Sequence, residues 1–349
     1  MIKEAMLYEK LSEGQVRCGL CAHRCAIRPG KRGVCGVREN KEGVLYSLVY
    51  GTLIAENIDP IEKKPFFHVY PASRSYSIAT VGCNFSCDFC QNHDISQMPR
   101  ATRMISGEDF SPAEIVARAK KSGSATIAYT YTEPTIYFEL VYDTAKIAVE
   151  NGLINVFVTN GFMTTEAIET IAPYLSAANV DLKSFRDEFY KKKCGAGLNP
   201  VLESLKKMKE KGIWVEITTL LIPTLNDSEE ELKDIAGFIA GLGVETPWHI
   251  SRFHPQFKMQ NLPATPIATL HRAVEIGKQA GLKYVYSGNV PGDAGENTYC
   301  FNCGNLLIER YGFRIVSINL KGNKCPKCGT QLEGIFNETQ VSETPCTET

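Results

Sequence analysis

Val81-Gly82-Cys83-Asn84-Phe85-Ser86-Cys87-Asp88-Phe89-Cys90 places three cysteines in a C-x3-C-x2-C pattern at the end of an apolar run, Tyr76 to Val81. A short apolar run closed by glycine reads as a buried strand, so the cysteines fall in the loop at its C-terminal end. Further apolar runs follow: Ala125 to Tyr131, Ile154 to Thr159, Ala177 to Leu182, Trp214 to Ile222, Trp248 to Phe253 and Tyr284 to Tyr286. Helix signals lie between them. Ser111-Pro112-Ala113-Glu114 and Ser228 with Glu231 are capping boxes, and Asn199-Pro200 opens a helix that Gly212 closes. Alternating β and α segments build a parallel sheet, which predicts an α/β fold with a full or partial (β/α) barrel; a doubly wound sheet is the alternative.

Composition narrows the chemistry. With 349 residues, 44% hydrophobic and 22% charged, the chain can bury a large core. A formal net charge of −1 argues against the basic field of a general nucleic-acid binder. No stretch reaches the length of a membrane span, and the N-terminus lacks a signal-peptide core, so the expected compartment is the cytoplasm. Eleven of the 13 cysteines stand in three tight groups, and clustered thiols in a reducing compartment read as metal ligands.

Three thiolates are one fewer than a cubane iron–sulfur cluster usually takes, which leaves one iron open. S-adenosylmethionine (SAM) can chelate such an iron through its amino and carboxylate groups. Reduction would then cleave a carbon–sulfur bond to methionine and a 5′-deoxyadenosyl radical that removes hydrogen from a substrate, chemistry that belongs to the cofactor. A zinc site or an oxidation-prone loop is the competing reading of Cys83, Cys87 and Cys90.

The loop resembles that of the radical SAM superfamily, and Val158-Thr159-Asn160-Gly161-Phe162 with Val180-Asp181-Leu182-Lys183 resembles the branch of pyruvate formate-lyase activating enzymes. Cys18-Gly19-Leu20-Cys21, the run Gly30 to Gly36, Tyr129 to Thr135, Ile250 to Pro255 and Gly288 to Gly292 are similar to the AmmeMemoRadiSam system radical SAM enzymes, over nearly the whole chain. The resemblance implies a partial TIM-like barrel holding a [4Fe–4S] cluster and SAM, fed by a low-potential donor of flavodoxin or ferredoxin type. It assigns Glu133, at the place of a Gly-Gly-Glu motif whose glycines are absent here, to the SAM ammonium. Thr159, Asn160, Asp181 and Lys183 fall on the SAM and ribose side. His254 matches a ribose-side histidine, and the Phe89 carbonyl meets the adenine edge. Each has a plain alternative: a helix-start carboxylate, strand-end turns, a surface histidine. Tyr129 and Arg252 are candidates to face substrate, and Cys194 is either a buried small hydrophobe or a hydrogen donor.

Two cysteine modules flank the barrel. Cys300, Cys303, Cys325 and Cys328 form paired C-x2-C knuckles, the pattern of a zinc ribbon closed by four thiolates. Cys18, Cys21, Cys25 and Cys35 could hold Zn²⁺ or a second iron–sulfur cluster; the spacing does not decide, and structural zinc is slightly favoured. The expected divisions are a cysteine-rich head with a β connector (1–75), the barrel (76–296), the ribbon (297–336) and a disordered tail (337–349). The expected activity is radical chemistry on a small molecule or peptide. Alternatives are an activase of a glycyl-radical enzyme and an RNA-modifying enzyme, with nucleic acid an unfavoured partner.

Overall fold

Each of the seven apolar runs forms a strand, and one more precedes them. These are β1 (Ala55–Pro60), β2 (Arg74–Ala79), β3 (Thr126–Tyr129), β4 (Ile154–Thr159), β5 (Ala177–Asp181), β6 (Trp214–Leu221), β7 (Trp248–Arg252) and β8 (Val285–Gly288). The structure is a computed structural model that describes residues 1–336; the expected disordered tail lies outside them. The strands form one sheet in the order β8-β7-β6-β5-β4-β3-β2-β1. All neighbours are parallel except β1, which is antiparallel to β2. Spatial order follows chain order without reversal, so there is no switch point of the doubly wound kind. The sheet is a partial barrel whose edges are β1 and β8.

Crossover helices α1 (Pro112–Lys121), α2 (Phe138–Glu150), α3 (Thr165–Ile171), α4 (Asn199–Glu210), α5 (Glu229–Leu242) and α6 (Ile267–Gln279) separate the strands from β2 to β8. Ser111 and Glu114 close the expected capping box on α1. On α5 the box is half made. Ser228 accepts from Glu231 N, but the Glu231 carboxylate turns to Ser184 Oγ and Phe185 N, at 2.5 and 2.8 Å, and pins the loop after β5.

Of the segment expected to connect head and barrel, residues 55–69 belong to the barrel itself. After β1, Ile61, Phe66 and Val69 pack in a buried cluster with Ala128, Val156 and Ala177 of β3, β4 and β5. Burying such side chains stabilises by about 1.5–3 kcal/mol each, which fixes residues 61–69 as a plug in the barrel. The backbone N–H groups of Phe67 and His68 donate to the carboxylate of Glu216 on β6, which also accepts from His249 Nε2 at 2.6 Å.

Two small sheets make up the N-terminal head: Lys3–Glu4, Val44–Ser47 and Arg38–Lys41 in one, Tyr8–Lys10, Val16–Cys18 and Ala26–Ile27 in the other. An ion pair with both side chains 2% exposed or less, Arg38 to Glu139 of α2, ties the head to the barrel. At the other end β9 (Thr298–Tyr299), β10 (Leu306–Tyr311) and β11 (Arg314–Ile318) form an antiparallel sheet. The turn between β10 and β11 stands at the gap between the barrel's two edges, close to Ile58 of β1 and Pro291 after β8.

Candidate active site

The loop after β2 is held from three sides. Arg100 donates to the carbonyls of Cys83 and Phe85, at 2.8 and 2.9 Å. Ser86 N and Asp88 N donate to the carbonyls of Cys194 and Lys193. Gly82 has φ +101° and lies against the head, where an added Cβ would meet Val37 Cγ1 at 2.7 Å and the Cys35 carbonyl at 3.1 Å. Only glycine meets both demands. Cys194 thus serves the loop through its backbone, and its buried thiol lies beside Cys87.

Cys83, Cys87 and Cys90 share the lining of a cavity of about 640 Å³ with Phe89, Thr159, Asn160, Asp181 and Lys183. That volume suits a small ligand. Burial and the Glu133 carboxylate hold the Cys83 thiol well above its ordinary range. Cys87 is raised by its contact with the Cys194 thiol and by burial. Ligation requires thiolates, so metal binding and proton release are coupled here. Asn160 Nδ2 donates to Asn84 Oδ1 at 2.7 Å and approaches Cys83 Sγ at 3.9 Å. Ser96 Oγ lies 3.3 Å from Cys90 Sγ. Lys183 Nζ pairs with Asp181 at 2.7 Å. Burial alone would lower the Lys183 ammonium, but Asp181 and the nearby thiols outweigh it and hold it well above its usual value.

Two expected SAM contacts lie outside this lining. Glu133 is 0% exposed and sits behind the wall. Its Oε1 accepts from Thr135 N, Thr135 Oγ1 and Thr159 Oγ1, and its Oε2 from Asn160 N. Its carboxylate is thereby spent on orienting Thr159 and Asn160. His254 is solvent-exposed and also off the cavity. Tyr129 is fully buried, donating to Asn155 Oδ1 at 3.0 Å, and Arg252 Nε donates to the Thr265 carbonyl.

The missing glycines before Glu133 have a structural counterpart. Tyr131, at the first of those positions, has φ +61°, the left-handed conformation that glycine adopts freely. A non-glycine residue there costs on the order of 1–3 kcal/mol. Its surroundings hold it: the hydroxyl donates to Asp59, the ring lies 4.1 Å from Lys64 Nζ, and its carbonyl accepts from Asn92 Nδ2 at 2.7 Å.

Farther along the cavity lie residues that motif reading passed over: Glu62 and Lys64 from the plug, Thr218, His249, Ser287 and Glu296. Burial pushes the Glu62 carboxyl up to about 7, against Arg310. Burial likewise lowers Lys64 to about 8, against the pull of Asp59. The signal for two of them was present, since Glu216 and Thr218 flank Ile217 on β6, and His249 and Ser251 flank Ile250 on β7. Period two places such residues on one face of a strand.

The C-terminal thiols converge. Cys300 and Cys328 Sγ are 3.6 Å apart and Cys303 and Cys325 Sγ 3.7 Å. Among the described residues these four are the one group of three or more Cys, His, Asp or Glu ligand atoms lying within 4.8 Å of one another.

A parallel partial barrel thus carries three loop cysteines over a ligand-sized cavity. Residues 77–239 match the Radical SAM superfamily. The chain is 49% identical over 335 residues to an uncharacterised protein of Methanocaldococcus jannaschii, covering 95% of this chain and 99% of that one. It is 24% identical over 168 residues to the pyruvate formate-lyase-activating enzyme of Clostridium pasteurianum, covering 46% and 67%. A radical SAM methyltransferase from Sphaerobacter thermophilus superposes with a TM-score of 0.51 at 17% identity, covering 65% of this chain and 71% of that one. The chain thus carries a Radical SAM superfamily domain, is an enzyme, and has relatives among glycyl-radical activases. The narrower assignment to the AmmeMemoRadiSam system is not reached by these matches.

Proposed function

We propose that the chain binds a [4Fe–4S] cluster on Cys83, Cys87 and Cys90 and SAM beside it, and oxidises a small polar molecule or a peptide side chain. The observation that carries this reading is the single cavity joining the three thiols to Glu62, Lys64, Thr218 and His249. The thiols fit a cluster: they line one space without closing on each other as the C-terminal thiols do. When bound and reduced, the cluster and SAM supply a 5′-deoxyadenosyl radical.

The protein's part is positioning. Arg100 and the Lys193 and Cys194 carbonyls fix the loop, Glu133 orients Thr159 and Asn160 at the wall, and the Asp181–Lys183 pair offers charge to a polar ligand. The plug and the tip of the C-terminal hairpin line the far side of the cavity, where they would limit the access of water to a reactive intermediate. In the C-terminal module a Zn²⁺ closed by Cys300, Cys303, Cys325 and Cys328 fits thiol separations of 3.6 and 3.7 Å, since Zn–S bonds of about 2.3 Å in a tetrahedron place sulfurs just under 4 Å apart. Among the described residues no helix is long and apolar enough to cross a membrane, and we place the enzyme in the cytoplasm with a flavodoxin- or ferredoxin-type donor.

The test is anaerobic reconstitution followed by reduction with dithionite and chromatography of the products. Wild type should release 5′-deoxyadenosine and methionine, and Cys83→Ala, Cys87→Ala and Cys90→Ala should not. Undiminished SAM cleavage in all three variants refutes the assignment. The activase reading draws on the named relatives; it predicts a glycyl-radical electron paramagnetic resonance (EPR) signal in a partner enzyme, and no consumption of a small substrate.

A further inference from the structure

Cys18, Cys21, Cys25 and Cys35 face a second, interior pocket, with Leu20, Ile27, Val34, Arg38 and Ile136 completing most of its wall. It encloses about 330 Å³ of space between atoms, of which about 20 Å³ is open to the centre of a water molecule, against about 640 Å³ on that measure for the main cavity. From this geometry we propose that the pocket is the seat of a second iron–sulfur cluster, of the [4Fe–4S] class, rather than of zinc.

Three observations carry the inference. The first is separation. Around one zinc ion four thiolates stand just under about 4 Å apart, as the C-terminal four do. Among the described residues no three ligand atoms of the head come within 4.8 Å of one another, although all four cysteines line one pocket. In a cubane each thiolate sits on a different iron, so the sulfurs stand wider than around a single ion.

The second is an unpartnered donor. Arg38 is 2% exposed and lines the pocket. Its Nη1 donates to both Glu139 oxygens and its Nη2 to the Met6 carbonyl, whereas its buried Nε has no partner. A buried N–H without an acceptor costs about 1–3 kcal/mol, and an anionic cluster in the pocket supplies acceptors in thiolate and sulfide. Val34 N already donates to Cys25 Sγ at 3.5 Å.

The third is the wall. Apart from Arg38 and Thr135 it is built of thiols, apolar side chains and one glycine, Gly33, where an added Cβ would come within 3.6 Å of Cys25 Sγ. Such a lining disfavours water, and solvent exposure is one of the factors that set an iron–sulfur cluster's potential.

The pocket also adjoins the catalytic loop. The Cys35 carbonyl lies against Gly82, next to Cys83, and Thr135 of the pocket wall bonds Glu133. His23 Nε2 is hydrogen-bonded to the Asn84 carbonyl at 2.8 Å. A cluster held by the head therefore stands directly behind the wall of the main cavity.

The test uses the full chain and does not depend on SAM turnover. Anaerobically reconstituted Cys83→Ala/Cys87→Ala/Cys90→Ala should retain about four iron and four sulfide per chain, broad visible absorbance and, on reduction, an EPR signal that SAM does not change. Cys18→Ser/Cys21→Ser should lose that signal and keep the SAM-sensitive one, which also shows that the barrel is folded. Zinc should stay near one equivalent in every form, from the C-terminal site. The proposal is overturned if the triple variant binds no iron, whether with two zinc or one, or if the head variant retains iron for two clusters. Loss of the SAM-sensitive signal alone would count against the catalytic assignment and leave this one standing.

Discussion

Replacing Glu133 with alanine tests whether this carboxylate works on ligand or on protein. In the structure it accepts four hydrogen bonds while fully buried, from both donors of Thr135, the Thr159 hydroxyl and the Asn160 N–H. A hydrogen bond to a charged group contributes about 1.5–3 kcal/mol, and these four are not additive. Removing the acceptor from a buried network leaves its donors unsatisfied, so Glu133→Ala should destabilise by about 3–5 kcal/mol. For a chain of this size that lowers Tm by about 4–7 °C. Glu133→Gln keeps one acceptor oxygen for Thr135 and Thr159 but turns an NH₂ toward the Asn160 N–H, and should lose roughly half as much. The measurement is anaerobic thermal unfolding without SAM, paired with SAM titration of the cluster's EPR signal in the same samples. An alanine variant that melts with wild type yet binds SAM tenfold to a hundredfold more weakly would refute the orienting role and return Glu133 to direct contact with the ammonium.

Glu62→Gln should change how stability depends on pH. The folded carboxyl is raised to about 7 from an ordinary value of 4.5, so its contribution is full below pH 4.5, falls as pH rises, and is gone above about 7. Urea unfolding across this window should show wild type losing about 3 kcal/mol relative to the glutamine variant, and parallel curves would contradict the burial argument. Cys300→Ala should lose the C-terminal zinc, read by elemental analysis, and expose residues 297–336 to limited proteolysis, because a closed thiolate site folds its own module. Arg38→Ala leaves Glu139 buried and unpaired and should cost about 3–5 kcal/mol, whereas Arg38→Met with Glu139→Leu should recover most of it. Equal losses in the single and double variants would show that the ion pair is not what matters there.

The seven strands were legible because residues buried on both faces of a parallel sheet read as nearly unbroken apolar runs, and each ends in a polar or glycine-rich turn. The capping box on α1 is equally local. What escaped is non-local. Residues 61–69 carry no periodicity, and their role as a plug follows only from meeting Ala128, Val156 and Ala177 across the barrel. The three loop cysteines, Phe89, Thr159, Asn160, Asp181 and Lys183 meet at one cavity. Glu133 and His254 do not, since a motif fixes where a residue stands along the chain but not which side of a wall its side chain takes. Cys18 to Cys35 could be read as metal ligands from spacing alone, but the separation of their thiols is a property of the folded head.

The match to the superfamily ends at residue 239, yet Glu62, Lys64, His249, Ser287, Glu296 and Phe313 of the cavity all lie outside it. On the proposed function, the cysteine loop and part of the cavity wall lie inside the matched stretch, while much of the wall that would meet a substrate comes from the flanks. Resemblance within the matched stretch thus supports a kind of reaction, while the cavity residues that would distinguish its substrate lie largely in the flanks.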